Sequence, residues 1–251
     1  MLPNGTDWDE QLDRVGLLAH EPQNLGNAEN WVFVFRAGVR GLTSRCNGVA
    51  WHSELFHSWI PPVPLEAREH HIAAMLFCMD SAMECLVFAL NALGQAIDKS
   101  AFRDISSRQA LKGIAPRDVF GAKALSGYGR LFPMFQAEWV KEAELIQQIA
   151  DNHDVSKHRH SVFHGGTLRE DPPPEFAALA IPEEVRYWFA PTSETLLPKD
   201  PKEPTQTRSV ELDEWTTLEQ LEQRFVSFLA ESVRIAVTDA RRTIPLKAPL
   251  G

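Results

Sequence analysis

Cysteine is scarce, and what there is forms no framework. The 251 residues hold three cysteines, Cys46, Cys78 and Cys85, with no CxxC pair among them. Cys78 and Cys85 fall two turns apart on one expected helix, about 10 Å at 1.5 Å per residue, too far for a disulfide. An odd count without a framework points to a reducing compartment, so a cytoplasmic location is expected. Also missing are a glycine loop for phosphates, a nucleophile elbow and any Cys/His spacing typical of zinc sites. No internal repeat or low-complexity tract is present. Positive charge is in deficit: the formal net charge is −9 and the pI near 5.5. Such a surface repels nucleic acid and anionic membranes as a whole, so an RNA or DNA partner has to be met at a restricted basic site.

The first 21 residues carry Asp7, Asp9, Glu10, Asp13 and Glu21 against Arg14 alone. With no apolar run there, no signal peptide is expected, and residues 1–27 read as a polar leader. The longest apolar stretch, Ile72 to Leu90, is interrupted by Asp80 and Glu84. It reads as a buried helix rather than a membrane span.

Apolar spacing then organises residues 28–245 as a single helical domain. Residues 28–60 read as helix, with Gly38, Gly41 and Asn47 as interruptions. Pro61, Pro62 and Pro64 precede a strong helix from Leu65 to Asp98. Residues 99–130, polar and glycine-containing, have room for one short helix. A second long helix is expected from Pro133 to His164, Pro133 suiting a first turn. Phe135, Trp139, Ala143, Ile146 and Ala150 form its apolar stripe, and His153, Lys157, His160 and His164 continue it at 100° per residue. The buried face therefore turns polar at its C-terminal end, and Gly165 and Gly166 end the helix. Residues 167–213 form a proline-rich excursion in which the strand-like content of Val185 to Ala190 and Arg208 to Leu212 implies a small β-hairpin. Thr216 with Glu219 reads as a capping box opening a final helix, Thr217 to Arg242. The seven tryptophans read as core.

Chemistry concentrates in one segment, NHDVSKHRHSVFHGG, which holds four of the nine histidines. Its centre runs Arg159-His160-Ser161-Val162-Phe163-His164-Gly165. This resembles the R-x4-H motif of the HEPN superfamily, in which a polar residue follows the arginine and the histidine precedes a helix end. The resemblance implies an all-α HEPN-like helical bundle, here with a small β-hairpin excursion after the motif helix. It also implies a homodimer in which two motifs face one cleft, and a metal-independent endoribonuclease needing no cofactor. Carried over residue by residue, His164 is the general acid/base, Arg159 holds the phosphate and His160 is an auxiliary polar group. That division suits the chemistry, since 2′-OH attack needs a proton acceptor near neutral pKa and a fixed cation on the phosphate. On an ideal helix Arg159 and His164 diverge by roughly 140°, so convergence draws on arginine's reach, an irregular helix end or a second subunit. Members of this superfamily also include non-catalytic nucleotide- or RNA-binding modules, and toxins held by an antitoxin or regulatory protein.

Two other readings attach to the same residues. A basic cluster at a helix C-terminus satisfies the macrodipole without any catalytic role. His153-Asp154-Val155-Ser156-Lys157 is similar to the His-Asp doublet of HD-type metal phosphohydrolases, for which His70 or His71 would serve as upstream ligand. That pair is adjacent and points two ways, which by itself reads as surface or capping. On the first long helix Asp80, Glu84 and Asn91 share a stripe. Asp80 or Glu84 is the expected partner of Arg159 or of a motif histidine, with an exposed polar face as the alternative.

Overall fold

The computed structural model describes residues 28–58, 65–163, 194–200, 203–211 and 214–243, and for 28–30, 57–58, 65–69, 155, 157–163, 194–200, 203–211 and 214–217 the backbone alone. The chain is an all-α helical bundle. Its helices are α1 Ala28–Ser58, α2 Leu65–Ile97, α3 Arg108–Leu111, α4 Arg117–Phe120, α5 Ser126–Leu131, α6 Pro133–Lys141, α7 Ala143–Phe163 and α8 Glu214–Thr243. They gather into two compact units. The first takes α1 as far as Asn47, α2 from Cys78, α3 to α6, the start of α7 to Ile146, and α8 from Arg224. The second takes α1 from Gly48, α2 as far as Phe77, α7 from Gln147, and α8 as far as Gln223.

In the first unit α1 runs unbroken through Gly38, Gly41 and Asn47, the three positions that read as interruptions. Gly38 is instead a packing site: a Cβ there would lie 2.9 Å from both the Cβ and the backbone nitrogen of Ala89, and 2.9 Å from the Cys85 carbonyl oxygen. Two helix backbones can approach this closely only where a side chain is missing. The helix accepts the glycine's entropic cost of about 0.5–1 kcal/mol for that contact. From α2 this unit buries Met79, Met83, Leu86, Val87, Leu90 and Leu93 completely. The stretch His70–Ile97 is long and apolar enough to cross a membrane, yet more than half of it is buried inside the protein. Its apolar side chains are thus spent largely on packing.

An aromatic layer closes this core. Tyr128, Phe132, Phe135 and Trp139 are all fully buried, and Phe225 and Phe228 of α8 nearly so. Each polar handle in the layer finds a partner, as burial demands. The Tyr128 hydroxyl donates to the Val87 carbonyl at 3.2 Å, and the Trp139 indole N–H to Ser232 Oγ at 3.0 Å. Pro133 opens α6, as expected of a residue lacking an N–H. The cap comes from elsewhere in the chain: Asp239 of α8 accepts the Phe135 N–H at 2.9 Å. Burial pushes the Asp239 carboxyl above its ordinary range, and the backbone N–H groups it accepts offset part of that.

Four sequence expectations need correction. The expected helix Pro133–His164 is two helices, broken at Glu142, whose φ of −96° and ψ of 16° leave the helical region. The apolar stripe continues across the break, through Phe135, Trp139, Ile146 and Ile149, which is why side-chain spacing could not reveal it. The final helix starts at Glu214, so Thr216 lies inside its first turn and does not cap it. A glutamate at the very start suits the positive end of the helix dipole. Residues 99–130 hold three short helices rather than one. Ser107 caps the first by accepting the Ala110 N–H at 3.1 Å, and buried Asp118 binds Arg103 at 2.7 Å. Lastly, Trp51 is 58 % exposed and so is not core, unlike Trp31 and Trp139. The leader 1–27 and the strand-like run Val185 to Ala190 lie outside the described residues.

Candidate functional site

The motif helix α7 presents its buried side through Leu145, Ile146, Ile149 and His153, while Asp151 and Asp154 are exposed. His153 is therefore a buried polar residue continuing an apolar stripe. Its ring meets Phe77 of α2 edge-on, centroids 5.4 Å apart, and its carbonyl accepts the Ser156 hydroxyl at 2.7 Å. Beyond it the helix carries Lys157, Arg159 and His160 on its backbone, but their side chains lie outside the described residues, and so does all of His164. The structure neither joins nor separates Arg159, His160 and His164.

Asp80 and Glu84 belong to the first unit and the motif segment to the second. Asp80 is half-buried and Glu84 exposed. Asn91, on the same stripe by sequence, has a structural task. Fully buried, it donates to the Arg103 carbonyl and accepts the Arg103 N–H, both at 3.0 Å, which pins the segment after α2. The pairing expected between these carboxylates and His160 or His164 rests on side chains outside the described residues. For the His-Asp doublet, a buried His153 beside an exposed Asp154 places the two side chains in different environments. Among the described residues no group of three or more His, Cys, Asp or Glu side chains is arranged to hold a metal ion.

The cysteines carry no disulfide. Burial, the largest influence on each, pushes the Cys78 and Cys85 thiols above their ordinary range, although Arg45 pulls in the other direction. Neither is an activated nucleophile at neutral pH.

A constellation that sequence reasoning missed lies in the second unit. His52, near the end of α1, faces His71, near the start of α2, with their Nδ1 atoms 2.9 Å apart. His70 stands beside them, its centroid 6.2 Å from that of His52 and 5.3 Å from that of His71. Exposed Trp51 leans on His52 at 4.8 Å between centroids. In the same unit the buried Ser53 hydroxyl donates to the buried Glu222 carboxylate at 2.7 Å, tying α1 to α8. The adjacency of His70 and His71 was visible in sequence. Their partner, 19 positions upstream of His71, carried no signal until two helices met.

Burial first, and then the neighbouring imidazoles, holds His52 and His71 below the ordinary histidine range. The sign of the consequence follows from proton counting. In the unfolded chain these rings take up protons near pH 6.5, whereas in the folded chain they do so only at lower pH, so below about 6.5 the unfolded state binds more protons. Their contribution to stability is present above about pH 6.5 and is lost as pH falls toward the folded values. The urea midpoint is expected to drop between about pH 7 and 5, and to drop less when His52 and His71 are both replaced by glutamine. Identical pH profiles for the two proteins would rule this coupling out.

Compared with known protein families, with curated proteins and with solved structures, the chain matches none.

Proposed function

We propose that this protein is a HEPN-like ribonuclease that cleaves single-stranded RNA without a metal ion, using Arg159 and His164. The observation that carries the reading is positional. In an all-α chain, the R-x4-H string occupies the end of a long helix, with Arg159 within its last two turns and His164 immediately after its final residue, Phe163. In this reading Arg159 fixes the phosphate, His164 accepts the 2′-OH proton, and His160 and Lys157 supply further polar and positive character to an otherwise acidic protein. The small β-hairpin after the motif helix belongs to the same proposal. Antiparallel backbone pairing of Glu194–Asp200 with Glu203–Glu211 supports it. A non-catalytic RNA- or nucleotide-binding role on the same fold is the second reading, in which the motif binds its ligand without cleaving it.

The test is incubation of the full chain with mixed single-stranded RNA in EDTA, followed by end-group analysis. Products ending in a 2′,3′-cyclic phosphate, or its opened form, are expected, because the internal hydroxyl is the nucleophile. Cleavage that EDTA abolishes would overturn the metal-independent mechanism. RNA binding without cleavage would give the second reading.

Because Arg159 and His164 diverge on an ideal helix, the proposed site is completed by a second copy, and a two-fold dimer is the default symmetry. Sedimentation at micromolar concentration is expected to show a dimer, and a monomer would remove the composite site. An antitoxin-like or other regulatory protein would then act by covering the shared cleft.

A further inference from the structure

Histidine is distributed unevenly between the two units. Of the nine in the chain, all but His20 fall within 48–77 and 147–223, the segments of the second unit. Half of those eight belong to the motif segment, and His52, His57, His70 and His71 do not. The pair His52 and His71 has a geometry of its own. Its rings come from two different helices, both are half-buried and so reachable from solvent, and their Nδ1 atoms lie 2.9 Å apart.

We propose that His52 and His71 form a two-point binding site for a divalent transition-metal ion of the copper(II) or nickel(II) class, through their Nδ1 atoms. Metal–imidazole bonds are roughly 2.0–2.1 Å long, so an ion bound to two nitrogens 2.9 Å apart sees them at about 90°. That is the angle between neighbouring ligands of a square-planar or octahedral ion. The preference for copper over zinc agrees with the ordinary affinity order for nitrogen sites.

In the hydrogen-bonded pair one ring donates to the other, so one proton occupies the space between the nitrogens. A neutral imidazole carries a single N–H, so metal binding shifts the donor ring's proton from Nδ1 to Nε2 by exchange with water, with no net proton release, and a rotation of each ring about its soft χ2 turns the two Nδ1 lone pairs toward a common point. The ring planes are tilted by 43°, with centroids 5.2 Å apart, so the two imidazoles are not stacked face to face. Among the described residues no third side chain completes a metal group with this pair. His70 is a neighbour and not a ligand, its ring standing 6.2 Å from His52. The site makes no use of Arg159 or His164, so it stands or falls separately from the ribonuclease reading.

Trp51 reports on occupancy. Copper(II) quenches indole fluorescence at short range, and this ring lies 4.8 Å from His52. The experiment is a copper(II) titration of the full chain, stripped of metal and dialysed, following tryptophan emission and, in parallel, bound copper by equilibrium dialysis. Wild type is expected to show a quenching phase saturating at one copper per chain, and Trp51→Phe to lose that phase while still binding the copper. His52→Ala and His71→Ala should each weaken this binding at least about tenfold, as loss of one of two ligands requires, with His70→Ala unchanged. His52→Gln, which keeps a side chain able to hydrogen-bond, serves where the alanine variant does not fold, circular dichroism deciding which is used. Binding confined to the motif histidines would appear as copper uptake that His52 and His71 substitutions leave unaltered. That result, or an absence of the Trp51 phase in wild type, overturns the proposal.

Discussion

Replacing His164 by alanine is expected to reduce RNA cleavage by about 10²- to 10⁴-fold, the usual loss when a positioned acid/base is removed. Arg159→Ala should fall as far by a different route, because the cation stabilises the charge that develops on the phosphoryl oxygens. The two variants are separable by their pH profiles. Arg159→Ala retains the bell shape set by an acid and a base, at a lower height. His164→Ala loses the limb that belongs to its imidazole. Both substitutions fall at or beyond the end of α7, far along the chain from the aromatic layer of the first unit, so neither should move the denaturation midpoint. Equal cleavage by wild type and His164→Ala would exclude this residue as the acid/base. A retained fold with lost RNA binding would reassign Arg159 to affinity instead of rate.

The largest stability effect should come from Trp139→Ala. Trp139 is fully buried, its ring tilted against Phe135 at 4.9 Å and against Phe228 at 5.5 Å between centroids, with its indole N–H on Ser232. Truncation removes that aromatic surface, leaves a cavity between α6 and α8, and strips the buried Ser232 hydroxyl of its donor. Cavity-forming aromatic-to-alanine changes cost about 3–5 kcal/mol, and the unsatisfied hydroxyl moves this one toward the upper end. Phe33→Ala is the control, since Phe33 is 76 % exposed and should change stability by no more than about 0.5 kcal/mol. Urea unfolding followed by circular dichroism reads both. Indistinguishable midpoints for the two variants would show that the aromatic layer is not the stabilising core described above.

Much of this architecture was written locally. Leu65 to Asp98 was legible as a helix because thirty-odd residues of Ala, Leu and Met after a proline cluster exceed any strand, and α2 spans Leu65–Ile97. Helix in residues 28–60 was legible too, from the continuation of apolar spacing past Phe35, and α1 spans Ala28–Ser58. The motif was legible as a string, since it lies within six consecutive residues. The break at Glu142 was not, because the pattern of buried side chains runs through it without a change of phase. Nor were the short helices after α2, which are too brief for periodicity to mark: Ser107 caps the first, and Asp118, inside the second, accepts the Ala115 N–H.

By itself, then, the sequence determined the class of fold, the two long N-terminal helices and the place of the R-x4-H string, because each depends on residues close together in the chain. Tertiary structure alone decided that Gly38 is a contact and not an interruption, that Asp239 caps a helix 104 positions upstream, and that Trp51 is exposed. It also decided that His52 meets His71. The physical reason is the same in every case: each property is set by a partner on another helix, and which side chains come within 3 Å across a helix crossing depends on packing that no local pattern encodes.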